Sequence, residues 1–204
     1  MPTITNLAQL DALYGAPARS STIKETTALT QQYRALIEAA SFLALATSGP
    51  EGLDCSPRGD APGRLVRIAD EHTLLLPDRR GNNRTDSLRN ILRDPRVGLL
   101  FLIPGHRNAL RINGRATLET DTALLASFAI DGAAPRCVIR IAIDTVFFQC
   151  GRAVERAGLW DASRFADPAT LPTPGDILSA LSDGAEGGAD YDKAWPERAK
   201  ATLW

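Results

Sequence analysis

The sequence predicts a mainly β protein with helices: an antiparallel barrel carrying helical decorations, not a parallel βαβ sheet. Three observations carry that reading. Short apolar runs recur through the middle of the chain with turn residues between them, giving six or seven strands of which few are separated by a helix. Hydrophobic residues make up 44% and charged residues 23% of the 204 residues, ordinary globular usage for a chain long enough to bury a full core. No window offers the roughly 18 apolar residues that a membrane span needs.

The elements follow in order. Leu7, Leu10, Leu13 and Tyr14 recur at helical spacing until Gly15 and Pro17 stop the run. Thr30 is placed to cap a second helix with Tyr33, Leu36 and Ile37 on one face. Residues 41–47 (SFLALAT) read as a strand entering the turn Ser48-Gly49-Pro50. Residues 52–58, 64–68 and 73–76 are further strands, broken by Gly59, Pro62, Gly63 and the turn at Asp70-Glu71. One strong helix is expected over 84–93, with Leu88, Ile91 and Leu92 on its apolar face and Asp94-Pro95 at its end. Strands resume at 97–103, 109–118 and 136–149, with a helix at 121–129. Beyond Trp160, prolines and glycines loosen the composition, and 177–181 and 191–203 read as short helices tied down by Trp195 and Trp204.

Charge narrows the function. The formal net charge is −1, which argues against a general polyanion binder, but residues 56–115 hold 12 Arg against 6 Asp and Glu. Lys occurs only at 24, 193 and 200, so nearly all the basic charge is Arg, the residue suited to bidentate capture of phosphate or carboxylate. Aromatic residues are 6% and are not interleaved with these arginines, so nucleic acid is not the expected partner. No GxSxG occurs, and His72 and His106 both sit in turn contexts, which removes the common nucleophile–base pairs. Absence of CxxC and HxxxH spacing argues against zinc, and absence of GxxxxGK and GxGxxG against nucleotide triphosphates and dinucleotide folds. Arg58-Gly59-Asp60 matches an integrin-binding tripeptide by coincidence. Three widely spaced cysteines and an N-terminal stretch without signal-peptide character make a cytoplasmic location the expectation, with no membrane association.

Residues 74–92, LLLPDRRGNNRTDSLRNIL, are the informative segment. A strand runs into Pro77, then a turn through Asp78, Arg79, Arg80, Gly81, Asn82 and Asn83 leads into the helix. Such a corner offers free helix N–H groups, with Arg80 and Arg84 near one point and Asn82 and Asn83 as further donors, the combination a phosphomonoester dianion requires. Two readings stay open here: a phosphate seat, or a helix simply capped by Asn83 with both arginines solvated.

Taken in order, SFLALAT, CSPRGDAPG, LLLPDRRGNNRTDSLRNILRDPRVGLLFLIPG, LRINGRATL and FFQCGRAVERAGLW resemble the pyridoxamine 5′-phosphate oxidase-like FMN-binding split-barrel flavoproteins, over about residues 40–160. The resemblance implies a six-stranded split β-barrel at 41–160, a helical extension at 1–40, and a helical tail at 161–204 packed on the barrel or a partner subunit. It implies FMN as cofactor, its phosphate held at the start of the helix by Arg80, Asn82, Asn83 and Arg84, with Arg58 and Arg64 on neighbouring strands as further ligands. Leu75, Leu76, Pro77 and Asp78 would offer backbone groups to the flavin's pyrimidine edge. The family is typically a homodimer with flavins at the interface; by that likeness Arg111, Asn113, Arg152, Arg156 and Trp160 close over the flavin from the partner chain. Arg111 is the residue expected to stabilise the reduced flavin, and no side chain stands out as acid or base.

The activity so implied is that of an FMN-dependent oxidoreductase passing hydride or electrons between flavin and a small organic substrate. The alternative is a protein that binds flavin, haem or a deazaflavin without turnover of its own. Two departures from the family pattern stand out. Asn83-Arg84-Thr85 replaces the Ser-Arg-Lys run usual at the phosphate, and the C-terminal Arg- and His-containing substrate motif of the vitamin B6 oxidases is missing.

Overall fold

A computed structural model describes residues 3–203. Helix α1 (Leu7–Tyr14) starts at Asn6, whose side chain accepts a hydrogen bond from the Gln9 amide, and ends at Gly15 in a positive-φ conformation. A short turn of helix, α2 (Arg19–Thr22), precedes α3 (Gln31–Ala39), which Thr30 caps through its hydroxyl at 3.2 Å from the Tyr33 amide. Strands β1 (Phe42–Gly49) and β2 (Gly52–Gly59) form a hairpin. Then come β3 (Arg67–Ile68), β4 (Thr73–Pro77), α4 (Asp86–Arg93), β5 (Arg96–Leu102), β6 (Ala109–Glu119), α5 (Thr122–Ala126) and β7 (Val138–Gln149). Helices α6 (Arg152–Ala157), α7 (Pro174–Leu181) and α8 (Gly188–Thr202) complete the described chain. The Trp204 anchor expected from the sequence lies outside the described residues.

All strands join one antiparallel sheet in the order β2-β1-β5-β6-β7-β4-β3. The residue pattern gives six or seven strands and the family resemblance six; the sheet has seven. The edge strand β3 pairs its two residues with Leu75 and Leu74. It is shorter than the expected 64–68 because residues 61–64 close a hydrogen-bonded turn, with Gly63 at φ 77. Strands β6 and β7 show why the sheet has one dry face. Leu110, Ile112 and Ala116 alternate with Arg111, Asn113 and Arg115, and Ile139, Ile141 and Ile143 alternate with Arg140, Ala142 and Asp144. A bulge between Asn113 and Gly114 bends this pair. A Cβ on Gly114 would lie 2.3 Å from the Ala142 carbonyl oxygen, so only glycine permits that approach.

The inner face packs Leu43, Leu45, Leu74, Leu76, Phe101, Leu110 and Ile139 against Tyr33 and Ile37 of α3 and Ile91 of α4. Each such side chain contributes about 1.5–3 kcal/mol of burial free energy. Helix α4 is fixed in rotation by buried Asn90, whose amide donates to the Thr47 hydroxyl on β1 at 3.2 Å.

The sheet curls but does not close with a ladder between β2 and β3 among the described strands. Side chains join its two ends instead. Arg58, near the end of β2, meets Asp78, just past β4, at 2.5 Å; Arg79 meets Asp60 at 3.1 Å. This crossed pair of ion pairs clasps the split and leaves a cleft beside it. Among the described residues no helix is long and apolar enough to cross a membrane.

Candidate functional site

The cleft lies where the end of β2 faces the loop between β4 and α4. Strand β2 has one face toward it, so that Asp54, Ser56 and Arg58, two residues apart, all line it. The loop after Pro77 turns through Asn83, a non-glycine residue at φ 61, and the Asn82 side chain accepts from the Arg84 amide at 3.0 Å. This local turn occupies the residues expected to begin the helix, so α4 starts at Asp86 rather than at Arg84. Thr85 stands at its N-cap, but its hydroxyl accepts from Arg89 Nε at 3.2 Å and makes no capping bond, so among the described residues no N-cap side chain covers the first-turn amides, and Asn83 is not the cap.

The cleft has a volume of about 900 Å³, in the upper part of the range for cofactor sites. Its far wall is the segment 133–137, and Leu203 beyond α8 lies at its lining. Ser87 is buried at the centre of its polar wall. The hydroxyl donates to Asp54 at 2.5 Å, and its oxygen lies 2.9 Å from the Ser56 hydroxyl and 3.4 Å from Arg58 Nη2. Arg58 Nη1 is bound to Asp78, while its buried Nε has no hydrogen-bond partner among the described residues. Arg84 Nε meets Asp86 at 2.5 Å, and this hydrogen bond raises the guanidinium pKa above its usual value. Arg136 donates to the Asn83 side chain at 2.9 Å, and Arg80 has no side-chain partner among the described residues.

Cys137 also lines the cleft. Burial, reinforced by the Asp78 carboxylate, pushes its thiol up to about 11, so at neutral pH it is protonated and poorly nucleophilic. Arginines 58, 79, 80, 84 and 136 therefore face aspartates 54, 60, 78 and 86. Such a surface can receive an oxyanion through guanidinium groups, hydroxyls and helix amides.

Of the residues expected from the sequence, Arg58, Leu76, Pro77, Asp78, Arg80, Asn82, Asn83 and Arg84 come together here. The Asp78 amide is bonded to the Cys137 carbonyl at 3.0 Å. The others lie elsewhere in the same chain. Leu75 packs with Phe128 and Val138 in a separate small apolar cluster. Arg64 lines a neighbouring cleft. Arg111 stacks over Phe147, 4.9 Å from the ring centroid, and Asn113 approaches Thr145 at 3.4 Å. Trp160 donates to the His106 carbonyl at 2.9 Å, Arg152 begins α6, and the Arg156 carbonyl accepts from Arg164.

Sequence reasoning missed Asp54, Ser56, Ser87 and Arg136 as lining residues. The alternation of Asp54, Ser56 and Arg58 along one strand was the available signal for the first two. Arg136 offered none, since it reaches Asn83 only through the β4–β7 pairing.

Residues 29–150 match the family model described as pyridoxamine 5′-phosphate oxidase. Among curated proteins none is similar enough to match. Three similar solved structures are HupZ from Group A Streptococcus, General Stress Protein 26 from Bacillus anthracis and a FAD-binding protein from Mesorhizobium loti. HupZ is 19% identical over 60% of this chain and 94% of its own, with a TM-score of 0.48. The stress protein is 16% identical over 56% and 88%, with a TM-score of 0.43. For the FAD-binding protein the identity is 16% over 61% and 96%, with a TM-score of 0.41. The family match takes in α3, all seven strands and α4, which is the sheet that curls and the corner where it parts; the chain belongs to the pyridoxamine 5′-phosphate oxidase family.

Proposed function

We propose that this protein is an FMN-dependent oxidoreductase that passes hydride or electrons between the flavin and a small organic substrate. One observation carries the reading: guanidinium groups, two hydroxyls and an uncapped helix start converge on a cleft of cofactor size at the β4–α4 corner. These groups fit a phosphomonoester. Among the described residues Arg80 and Arg136 hold no carboxylate and the Arg58 Nε lacks an acceptor, while the Ser56 and Ser87 hydroxyls, relayed onto Asp54, complete the polar wall. When bound, FMN supplies the redox chemistry through its N5 atom.

The chain's own residues bind and orient. Arg80, Arg84 and Arg136 neutralise the phosphate, and Arg58 is anchored between Asp78 and Ser87, which sets its height in the cleft. Leu65, Leu76 and Ala134 give the cleft an apolar floor that excludes water from a ring. The same reading makes the protein a homodimer with flavin at the subunit interface. Arg111, Asn113, Arg152, Arg156 and Trp160 lie outside their own chain's cleft, available to close that of a partner, with Arg111 beside the reduced flavin's developing negative charge.

The test is the protein as isolated and after incubation with FMN. Expected are the two flavin absorption bands, a native mass spectrum of a dimer with two FMN, and loss of the colour in an Arg80→Ala, Arg84→Ala variant. A preparation that takes up no FMN at micromolar concentration overturns the reading. Bound flavin that no donor reduces supports instead a flavin-binding protein without turnover.

A further inference from the structure

Helices α7 and α8 are tied to each other rather than to the sheet. The Asp192 carboxylate on α8 accepts from the Thr173 hydroxyl at 2.5 Å and from the Gly175 amide at 2.9 Å, which fastens the start of α7 to α8. A Cβ on Gly175 would lie 2.4 Å from the Gly188 carbonyl oxygen, so the two backbones meet there. Elsewhere the pair packs little: α8 has no buried residue, and in α7 only Gly175 is buried. Yet Leu203, at the end of α8, lines the cleft of about 900 Å³. We propose that α7 and α8 form a rigid lid on that cleft, carried on a hinge at residues 165–172, which closes the end of α8 over a bound ligand and slows its escape.

The hinge is a local stretch between two anchored ones. Just before it, Trp160 donates to the His106 carbonyl at 2.9 Å and Arg164 to the Arg156 carbonyl at 3.2 Å. From 165 to 172 every residue is exposed, and among the described residues the hydrogen bonds of this stretch run only within 162–172. A segment without buried contacts or long-range bonds rearranges at little cost, while the elements on either side keep their shape.

The lever is stiff. Pro196 lies inside α8 and removes one bond of its ladder, a place where a helix bends. Arg198 bridges that weak point. Its guanidinium stacks 4.2 Å from the centre of the Tyr191 ring and 5.2 Å from that of Trp195, both on the other side of the proline. The Thr202 hydroxyl donates to the Arg198 carbonyl at 2.7 Å and holds the last turn. Movement at the hinge is therefore transmitted to Leu203.

The closing surface is apolar. Trp195, Ala199 and Leu203 follow at i, i+4 and i+8 along one stripe of α8 that leads to the cleft. Trp195 is 56% and Leu203 60% exposed, so lowering the end of this stripe onto a ligand removes apolar surface from water. Leu65, Leu76 and Ala134 line the same cleft, so a flat ring gains contact from floor and lid together. That contact exists only with the ligand in place, which is what biases the lid toward its closed position.

The lid stands on this geometry alone; that the ligand it retains is FMN rests on the function proposed above. The experiment attaches a nitroxide at Ala201→Cys in a Cys55→Ser, Cys150→Ser background, which leaves only the buried Cys137 thiol unlabelled. Broadening of the Arg80, Arg84 and Arg136 amide NMR signals is followed before and after FMN is added. Expected are partial broadening in the free protein, deeper broadening with FMN, and relief of both in Leu203→Asp. FMN release, timed by the recovery of flavin fluorescence, should be about tenfold faster in Leu203→Asp and near wild type in Leu203→Met. Leu7→Asp, at an equally exposed apolar position on α1, should leave it unchanged. Signals unbroadened in either state overturn the lid. Broadening that neither deepens with FMN nor is relieved by Leu203→Asp describes a fixed wall and overturns it too. FMN released at one rate by wild type and Leu203→Asp removes the lid and keeps the flavin reading; broadening relieved by Leu203→Asp in protein that takes up no FMN does the reverse.

Discussion

Replacing Asp60 by Ala strands a charge at the place where the sheet's two ends meet. The Asp60 side chain is 2% exposed and that of Arg79 17%, so the pair sits out of water. Removing one partner of a buried ion pair costs about 3–5 kcal/mol, because the remaining charge keeps its desolvation and loses its counterion. Arg79 retains the Phe128 carbonyl at 2.7 Å, which places the expected loss near the lower end, about 3 kcal/mol. Asp60 also accepts from the Ala61 amide at 2.7 Å, so none of its bonds is replaced. The control is Glu51→Ala, whose partner Arg93 is 43% exposed and which is itself 66% exposed; such a surface pair is worth less than about 1 kcal/mol. With a urea slope of roughly 1–3 kcal/mol per molar, the Asp60 variant should unfold at a midpoint lower by about 1 M or more. The Asp60→Leu, Arg79→Leu double variant should recover much of the loss, because no buried charge remains. An Asp60→Ala midpoint no lower than that of Glu51→Ala would refute the clasp. A double variant as unstable as the single would show that packing, not charge, was lost.

Three further outcomes test other parts of the molecule. Asp86→Asn removes a negative charge from the phosphate seat and frees Arg84, so FMN should bind about tenfold more tightly while riboflavin, which lacks the phosphate, is unchanged; equal effects on both flavins would contradict the placement of the phosphate. Of the three thiols, Cys55 and Cys150 are exposed and Cys137 is buried with its pKa at about 11. Cys150 is moreover shifted down by a hydrogen bond from the Arg152 amide. Ellman's reagent at mildly alkaline pH should therefore label Cys150 first, Cys55 next and Cys137 only on unfolding, and a single rate for all three would be inconsistent with this packing. The Asp94 carboxyl is held at about 2, against 3.8 unperturbed, chiefly by the hydrogen bond from the Arg96 side chain. A folded-state pKa below the unfolded value stabilises above the unfolded pKa and is lost as pH falls through the folded one. The urea midpoints of wild type and Asp94→Asn should accordingly differ at neutral pH and converge between about pH 4 and pH 2; a gap that persists at pH 2 would exclude this linkage.

Periodicity and turn chemistry made most of the framework legible. Thr30 caps its helix as its spacing indicated, and β1, β2, β5 and β6 stand within two residues of their expected bounds, because β1 and β5 are apolar runs and β6 alternates apolar with polar residues, while Gly52 and Gly59 bound β2. Errors fell where side chains compete with the backbone. Asn82 captures the Arg84 amide and Asn83 enters the left-handed region, so the helix begins two residues later than its apolar face suggests. The edge strand β3 shrank to two residues since a turn at Gly63 consumed its start. Within the cleft, the local cluster from Asp78 to Arg84 was readable as one segment. Residues brought from a distance were not: Arg136 and Ser87 enter through the β4–β7 register and the packing of α4 on β1, and neither contact leaves a trace in local sequence.

The split in the barrel explains why the cleft lies where it does. A closed ladder between β2 and β3 would satisfy its backbone groups internally and leave no room between the strands. Here the closing contacts are side chains, Arg58 to Asp78 and Arg79 to Asp60, and side chains leave a gap wide enough for a ligand. The two pairs are not equivalent. Asp60 is nearly inaccessible, so its pair is a structural fastening that a ligand cannot exchange; Asp78, at 21% exposure, can release Arg58 to an incoming anion. One clasp thus holds the sheet while the other is open to partner exchange. The clasp that holds is also the wall between the two clefts, since Arg79 lines both.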